Sequence, residues 1–173
     1  MKKRVLLSVA ACLLAAACGF EPMYGSYGLA GVQEQSGVQE KLAQVDVLSI
    51  PDREGQFLRN ALIDSFYDSG RPVNPRYTLS VSGVTERTYD LDITVSSDAT
   101  RAQLTLSTDI SLIDNESKEE VLKRSLRASA SYNIMESEFA TRVSEQSTRE
   151  NALNDLARQI ELQTVLYFER ASK

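Results

Sequence analysis

The chain has 173 residues and a formal net charge of −5, with 19 basic side chains, 24 acidic side chains and no histidine. This acidic balance argues against a nucleic-acid surface, which needs clustered cations to neutralise phosphates. The lack of histidine excludes His-based catalytic triads, and a zinc site would have to be built from carboxylates alone, which is unusual.

The first 20 residues have the parts of a secretory signal peptide: a basic start over residues 2–4, an apolar block over residues 5–17 and small residues before a cysteine. The apolar block has about 13 residues, too few to span a hydrocarbon core of about 30 Å as a helix. The stretch that ends at Cys18 resembles a bacterial lipobox, in which the cysteine is acylated and becomes the first mature residue. Leucine usually stands three residues before that cysteine, whereas here Leu14 lies one step further back.

We therefore predict a signal peptide over residues 1–17 and a covalent lipid, N-acyl and S-diacylglycerol, on Cys18, with no other cofactor. A second lipobox ends at Cys12, but the apolar region ahead of it is too short, and a cut elsewhere would leave Cys18 as an ordinary thiol. Removing the signal peptide takes away three basic residues and no acidic one, so the mature charge is −8. Gly19 follows the cysteine, and resemblance to Gram-negative lipoproteins then favours the outer membrane.

Residues 18–44 are rich in Gly, Ser, Gln and Glu and are predicted to form a flexible tether. Residues 45–173 are predicted to form a single domain. It opens with a short buried strand that ends before Pro51, and a helix then follows, with Asp52 as its N-cap, to about Asp68.

Alternating apolar residues predict a strand from Tyr77 to Tyr89, with a bulge at Gly83 because the apolar phase shifts at Val84. A second short alternating run covers residues 91–95. The cleanest alternation covers residues 102–112, and it returns over residues 121–132 after a turn at 114–117. These two strands predict a long antiparallel hairpin with one solvent-facing side.

Apolar residues at helical spacing predict a C-terminal helix that ends near Ser172 and begins either at about residue 137 or, from a capping box that starts at Ser147, at residue 147. The element order is therefore β-α-β-β-β-α. The fold class predicted is α+β: a two-layer sandwich with two helices packed on one face of a four-stranded, mostly antiparallel sheet.

Basic residues on the solvent-facing side of this sheet are the candidate binding site. They are Arg87, Arg101, Lys123 and Arg127. Arg and Lys form charge-assisted hydrogen bonds with phosphate, so a local cationic patch on an acidic protein could meet phosphorylated lipid A. The alternative is a row of surface cations paired with Glu119, Asp109 and their neighbours. The carboxylates around the hairpin turn lack EF-hand spacing and are predicted to be solvated surface.

Two stretches resemble the LptE family of lipopolysaccharide-assembly lipoproteins. They are the mature start, Cys18-Gly19-Phe20-Glu21-Pro22-Met23-Tyr24-Gly25, and the first helix, Ile50-Pro51-Asp52-Arg53-Glu54-Gly55-Gln56-Phe57-Leu58-Arg59-Asn60-Ala61-Leu62. The β-α-β-β-β-α order agrees with that family across the mature chain.

The resemblance implies a non-enzymatic lipoprotein that is anchored at the periplasmic face of the outer membrane. Its implied partners are lipopolysaccharide and an LptD-type β-barrel, which it plugs and helps to assemble. Cys18 is carried over as the acylated residue, whereas no family motif maps lipopolysaccharide contacts onto one position. The first alternative is another outer-membrane lipoprotein, an auxiliary component of a periplasmic lipid transporter. The second, a glycosidase, needs two carboxylates facing each other across a cleft, which no spacing here demands.

Overall fold

The computed structural model describes residues 37–67, 70–93 and 99–171. The elements are β1 (Val45–Val47), α1 (Asp52–Phe66), β2 (Tyr77–Val81), β3 (Thr85–Ile93), β4 (Ala99–Asp114), β5 (Glu120–Asn133) and α2 (Glu138–Ala171). The predicted signal peptide, Cys18 and most of the predicted tether lie outside the described residues.

The sheet is mixed, with β4 at its centre. β1 pairs with β2 in parallel, and β2, β3 and β5 each pair with β4 in antiparallel fashion. Because β5 pairs along almost all of β4, β2 and β3 share the opposite side of β4 and lie end to end there. The sheet is thus four strands wide, and the α+β fold class predicted above is confirmed.

The break between β2 and β3 is the bulge predicted at Gly83. Val81 pairs with Ile110 and Thr85 pairs with Ser107, so three residues of one strand stand opposite two residues of β4. An extra residue on one strand shifts its side-chain alternation by one, which is the shift of apolar phase seen in the sequence. The prediction of a separate run over residues 91–95 is corrected, because residues 91–93 continue β3.

One hydrophobic core joins both helices to the same face of the sheet. Alternate residues of β4 point into it, with Leu104, Leu106 and Ile110 at most 1% exposed. The helices contribute fully buried side chains, namely Leu58, Leu62 and Phe66 from α1 and Leu156, Ile160 and Phe168 from α2. Burial of each such side chain contributes about 1.5–3 kcal/mol to stability, so this face of the sheet is covered by the helices.

The core also includes a residue from the segment predicted as tether. Residues 37–42 form a helical turn before β1, and Leu42 is 1% exposed within the core cluster. The packed domain therefore starts before the first strand.

The C-terminal helix begins at Glu138, the earlier of the two alternatives. Its first turns are supported by ion pairs one turn apart, between Glu138 and Arg142 and between Glu145 and Arg149. Thr148 is buried in the continuous helix, so the capping box predicted at residue 147 does not form.

The start of α1 also differs from the prediction. Asp52 is the first helical residue, with φ of +68°, and the position before it is Pro51, which makes no side-chain capping bond. The prediction of an N-cap by Asp52 was therefore wrong.

Gly55 lies buried in the first turn of α1, where the helix meets the end of the β1 segment. A Cβ at this position would lie 2.6 Å from Cγ2 of Ile50 and 3.1 Å from the Ile50 carbonyl carbon. Contacts this short require the helix or Ile50 to move, because Ile50 is itself 3% exposed. Close packing against Ile50 thus explains why the first-helix motif has a glycine at position 55.

We predict that Gly55→Ala destabilises the domain despite the helix preference for alanine. Overpacking costs about 1–3 kcal/mol, whereas replacing a helical glycine gains about 0.5–1 kcal/mol. Urea unfolding should show a net loss of about 1 kcal/mol. Gly37→Ala is the control, because a Cβ there meets nothing within 4 Å; an equal change in both variants would contradict this packing argument.

Side chains of α1 and the residue after it cover the outer edge of β1. The Tyr67 hydroxyl donates to the Val45 carbonyl oxygen at 2.6 Å and accepts from the Val47 N–H at 3.3 Å. Arg59 donates to the carbonyl oxygens of Val47 and Leu48, both at 3.1 Å. Burial raises the pKa of Tyr67, so the phenol stays protonated and remains able to donate.

Tyr67→Phe should lower the free energy of unfolding by about 1–3 kcal/mol, because it leaves buried main-chain groups of β1 without partners. Tyr89→Phe is the matched control, since Tyr89 is 51% exposed and lies on β3. Urea titrations followed by circular dichroism measure both. Equal stability of the Tyr67→Phe variant and the wild type would show that the edge contact contributes nothing.

Candidate functional site

The face of the sheet opposite the helices is the candidate site, and we call it the open face. On β4 it starts at Arg101 and continues at every second residue to Ser111, between the buried positions that face the helices. Directly paired residues of neighbouring strands share a face, so the pairing extends this surface onto β3 and β5. Apart from its charged residues it is mostly Ser and Thr, a pattern of short hydroxyl side chains on a flat surface.

All four predicted basic residues lie exposed on the open face. Their positions follow from the pairing: Arg87 stands opposite Thr105, Arg127 opposite Ser107, Lys123 opposite Ser111, and Arg101 opposite both Leu91 and Asn133.

Few carboxylates neutralise these cations. Lys123 lies 3.6 Å from Glu120. Among the described residues, Arg87, Arg101 and Arg127 form no ion pair. Asp109 lies on the same face, but its carboxylate accepts a 2.5 Å hydrogen bond from the Ser125 hydroxyl. The alternative prediction was that these cations pair with acidic neighbours. Among the described residues, this is the case for Lys123.

The four cations are spread along the sheet. With about 3.4 Å per residue and about 4.8 Å between strands, Arg87 and Arg127 are about 12 Å apart between their Cα atoms. The Cα atoms of Arg101 and Lys123 are about 34 Å apart. Arg87 and Arg127 stand on either side of Thr105 and Ser107, so they are the pair best placed to bind one anionic group. The sequence predicted that these four residues share a face, but the distances between them depend on the pairing register of the strands.

The bulge forms a concavity beside Arg127. It has a volume of about 430 Å³ and is lined by polar groups that include Ser82, Thr85 and Asp109. The Ser82 hydroxyl lies 3.1 Å from the Thr108 hydroxyl and accepts from the Asp109 N–H at 2.9 Å. The bulge thus turns part of a flat polar face into a shallow hollow, which sequence reasoning anticipated only as a phase shift.

Arg149 forms an ion-pair network on the other face that sequence reasoning missed. Its Nε and Nη2 atoms donate to Glu86 at 2.7 and 2.8 Å, and Nη2 also donates to Glu145 at 2.6 Å. Hydrogen bonding to Glu86 raises the pKa of Arg149, although burial opposes this, so the guanidinium stays charged. Because the network joins β3 to α2 and its arginine is only 16% exposed, it is a structural link and unavailable to a ligand.

The first turns of α2 carry exposed apolar side chains. Phe139 is 78% exposed and Val143 is 53% exposed, and Met135 lies just before the helix. Their helical spacing suggested packing, but the buried residues of α2 begin at Thr148.

Within residues 37–67, 70–93 and 99–171, no cluster of acidic, His or Cys side chains is suited to hold a metal ion. The helices in those ranges include none that is both long and apolar enough to cross a membrane.

The model of the family described as LptE, lipopolysaccharide-assembly, matches residues 42–164. No curated protein is significantly similar in sequence. Among solved structures, a candidate lipoprotein from Caulobacter crescentus CB15 superimposes with a TM-score of 0.61 and 24% identity, covering 78% of this chain and 97% of that one. Rare lipoprotein B from Shewanella oneidensis gives 0.57 and 10% identity, covering 73% and 96% of the two chains. A minor lipoprotein from Acinetobacter baumannii gives 0.52 and 21% identity, covering 72% and 94%. These three superpositions show a shared fold.

Proposed function

The chain belongs to the LptE family of lipopolysaccharide-assembly proteins, and from this membership we propose that it is the lipoprotein component of an outer-membrane lipopolysaccharide translocon. In this role it binds and plugs an LptD-type β-barrel, assists the assembly of that barrel and binds lipopolysaccharide for insertion into the outer leaflet. The observation that carries the proposal is the family match over residues 42–164, which covers nearly all of the packed domain. The role is non-enzymatic.

The open face supports binding of a phosphorylated lipid. Arg87, Arg101 and Arg127 are exposed and have no acidic partner among the described residues, so their guanidinium groups are available for bidentate hydrogen bonds to phosphate. The hydroxyl groups of Thr105 and Ser107 lie between Arg87 and Arg127 and add neutral donors. Because the protein is acidic overall, this local cationic surface gives a polyanion one favoured place to bind.

The two-layer build supports a position inside a barrel. A wide barrel encloses an aqueous channel with a polar interior. The open face is mostly polar and the core between the layers is closed, so most of the domain surface suits such a space, whereas Phe139 and Val143 at the start of α2 are exposed apolar side chains. The lipid proposed on Cys18 would hold it at the periplasmic face of the outer membrane.

Affinity purification of the full-length lipoprotein from detergent-solubilised outer membranes tests the proposal. Bound proteins are identified and quantified by mass spectrometry, with an unrelated outer-membrane lipoprotein carrying the same tag as the control. We expect an LptD-type β-barrel near one-to-one with the lipoprotein.

Recovery of inner-membrane transporter components without a barrel would overturn the proposal. That result would favour an auxiliary lipoprotein of a periplasmic lipid transporter. Recovery of the barrel with both tagged lipoproteins would show that the association is not specific.

A further inference from the structure

The outer edge of β5 is a long strand edge with main-chain groups that point away from the sheet. β5 has 14 residues and contains no Pro or Gly, and β4 is its only neighbour among the described strands. The carbonyl oxygen of Arg127 accepts from Gln159 at 3.2 Å, whereas the N–H of Ile134 donates across to Thr100. Main-chain groups alternate in direction along a strand, so the odd-numbered residues from Lys123 to Asn133 point outward.

Side chains occupy only part of this edge. Gln159 takes the Arg127 carbonyl oxygen, and Arg124 takes that of Lys123 at 2.8 Å. The outward main-chain groups of Ser129 and Ser131 have no partner within the described ranges. The opposite edge of the sheet differs, because Tyr67 and Arg59 occupy the outward groups of β1. Side chains therefore cover the three-residue edge of β1, whereas the 14-residue β5 keeps the outward main-chain groups of Ser129 and Ser131 open.

An open edge of this kind accepts an added strand, in which main-chain hydrogen bonds give affinity and side chains give specificity. The charges of β5 indicate what kind of strand fits. It carries three exposed cations, Lys123, Arg124 and Arg127, and one acidic residue, Glu120, which already pairs with Lys123. An incoming strand with acidic side chains is complementary to this edge.

A second copy of the chain is a poorer occupant. Pairing β5 with β5 of another copy would bring two sets of three cations onto one ladder, and like charges on adjacent strands are destabilising. Pairing β5 with the acidic β3 of another copy would be heterologous and would generate open chains of molecules.

We propose that the β5 edge, centred on Ser129, is a docking site for an extended acidic segment of the barrel partner, which adds to the sheet as a further strand. This inference rests on the proposed function, since it takes the barrel as the partner. It assigns the barrel to the edge of the sheet and the lipid to the open face, and the two sites share Lys123 and Arg127.

Comparison of Ser129→Pro with Ser129→Ala distinguishes the loss of the main-chain N–H from the loss of the side-chain hydroxyl. The Ser129 N–H points outward, so proline removes it without breaking the β4–β5 ladder, as edge strands tolerate. Both variants lose the hydroxyl contact with Thr105 at 3.0 Å. Each tagged full-length variant is purified from detergent-solubilised outer membranes, and the barrel is quantified per lipoprotein.

We expect the Ser129→Pro variant to recover about tenfold less barrel than the Ser129→Ala variant, as loss of a main-chain pairing point predicts. Equal recovery by the two variants overturns the inference while the proposed function stands. Absence of the barrel from the wild type overturns the proposed function itself. A dimeric wild type that Ser129→Pro makes monomeric, measured by light scattering of the purified protein, assigns the edge to a second copy and also overturns the inference.

Arg124→Glu provides a second arm in case Ser129→Pro fails to fold by circular dichroism. Arg124 is exposed and lies outside the candidate lipid site, and Arg53→Glu on the exposed start of α1 is its control. We expect Arg124→Glu to recover about threefold less barrel than Arg53→Glu, because a repulsive charge then faces the acidic strand. Equal recovery overturns the inference.

Discussion

Simultaneous replacement of Arg87 and Arg127 by glutamate should weaken lipopolysaccharide binding by at least about 100-fold. Hydrogen bonds to charged groups contribute about 1.5–3 kcal/mol each, and two of them together exceed the roughly 2.8 kcal/mol that 100-fold represents. Both residues are exposed on the open face and neither forms an ion pair with a described residue, so the substitutions should leave the fold intact. Equilibrium binding of labelled lipopolysaccharide to the purified soluble domain measures the effect.

The control for this variant is Arg53→Glu with Arg158→Glu, which makes the same charge change on the exposed surfaces of the two helices. We expect the control to lose only the small affinity that net charge supplies, and to lose still less as salt is raised. If both double variants bind equally weakly, the open face is not a specific site. If the Arg87 and Arg127 variant binds like the wild type, the lipid binds elsewhere.

Cys18→Ala should remove nearly all of the protein from the outer-membrane fraction. Each buried CH₂ of an acyl chain contributes about 0.8 kcal/mol, so several chains anchor a domain firmly, and their loss removes that attachment. Fractionation in cells depleted of the barrel measures this directly, because the barrel would otherwise retain the unlipidated protein.

Cys12→Ala is the matched control, since it makes the same change within the predicted signal peptide. It should leave the protein in the membrane fraction, and mass spectrometry of the mature N-terminus should find the lipid on Cys18. Release by Cys12→Ala, or retention after Cys18→Ala in barrel-depleted cells, would contradict the assignment of the anchor.

The hairpin shows what the sequence can predict well. From Ala102 to Leu112 every second residue is apolar except Thr108, and from Leu122 to Tyr132 every second residue is apolar except Arg124 and the amphipathic Tyr132. On a half-buried sheet, a period of two determines which residues of each strand face the core. The same periodicity placed the four candidate cations on one face, and the structure places them there.

The helix ends show where local signals fail. Ser147-Thr148-Arg149-Glu150 has the form of a capping box, yet Arg149 is used for ion pairs with Glu86 and Glu145, and the helix continues through it. Glu86 is 63 residues away, so a tertiary contact decides an element boundary that no local window contains. At the start of α1 the local signal also fails, because Pro51 occupies the N-cap position and Asp52 is already helical with φ of +68°.

The edges of the sheet depend on contacts that the sequence does not predict. No local pattern in the sequence singles out Tyr67, yet its hydroxyl hydrogen-bonds to both Val45 and Val47 along the edge of β1. That β1 is blocked while β5 is open depends on the pairing order of the strands. Alternation along one strand carries no information about that order.

Delivery of lipopolysaccharide to the cell surface after depletion of this protein tests its proposed role in lipopolysaccharide assembly. Newly made lipopolysaccharide is pulse-labelled, and its amounts in the inner membrane and at the outer surface are followed as the protein is depleted, with plasmid-borne wild type as the control. We predict that label accumulates in the inner membrane and stops reaching the surface, and that the wild-type plasmid restores delivery. Normal delivery in cells without detectable protein would contradict a role in lipopolysaccharide assembly.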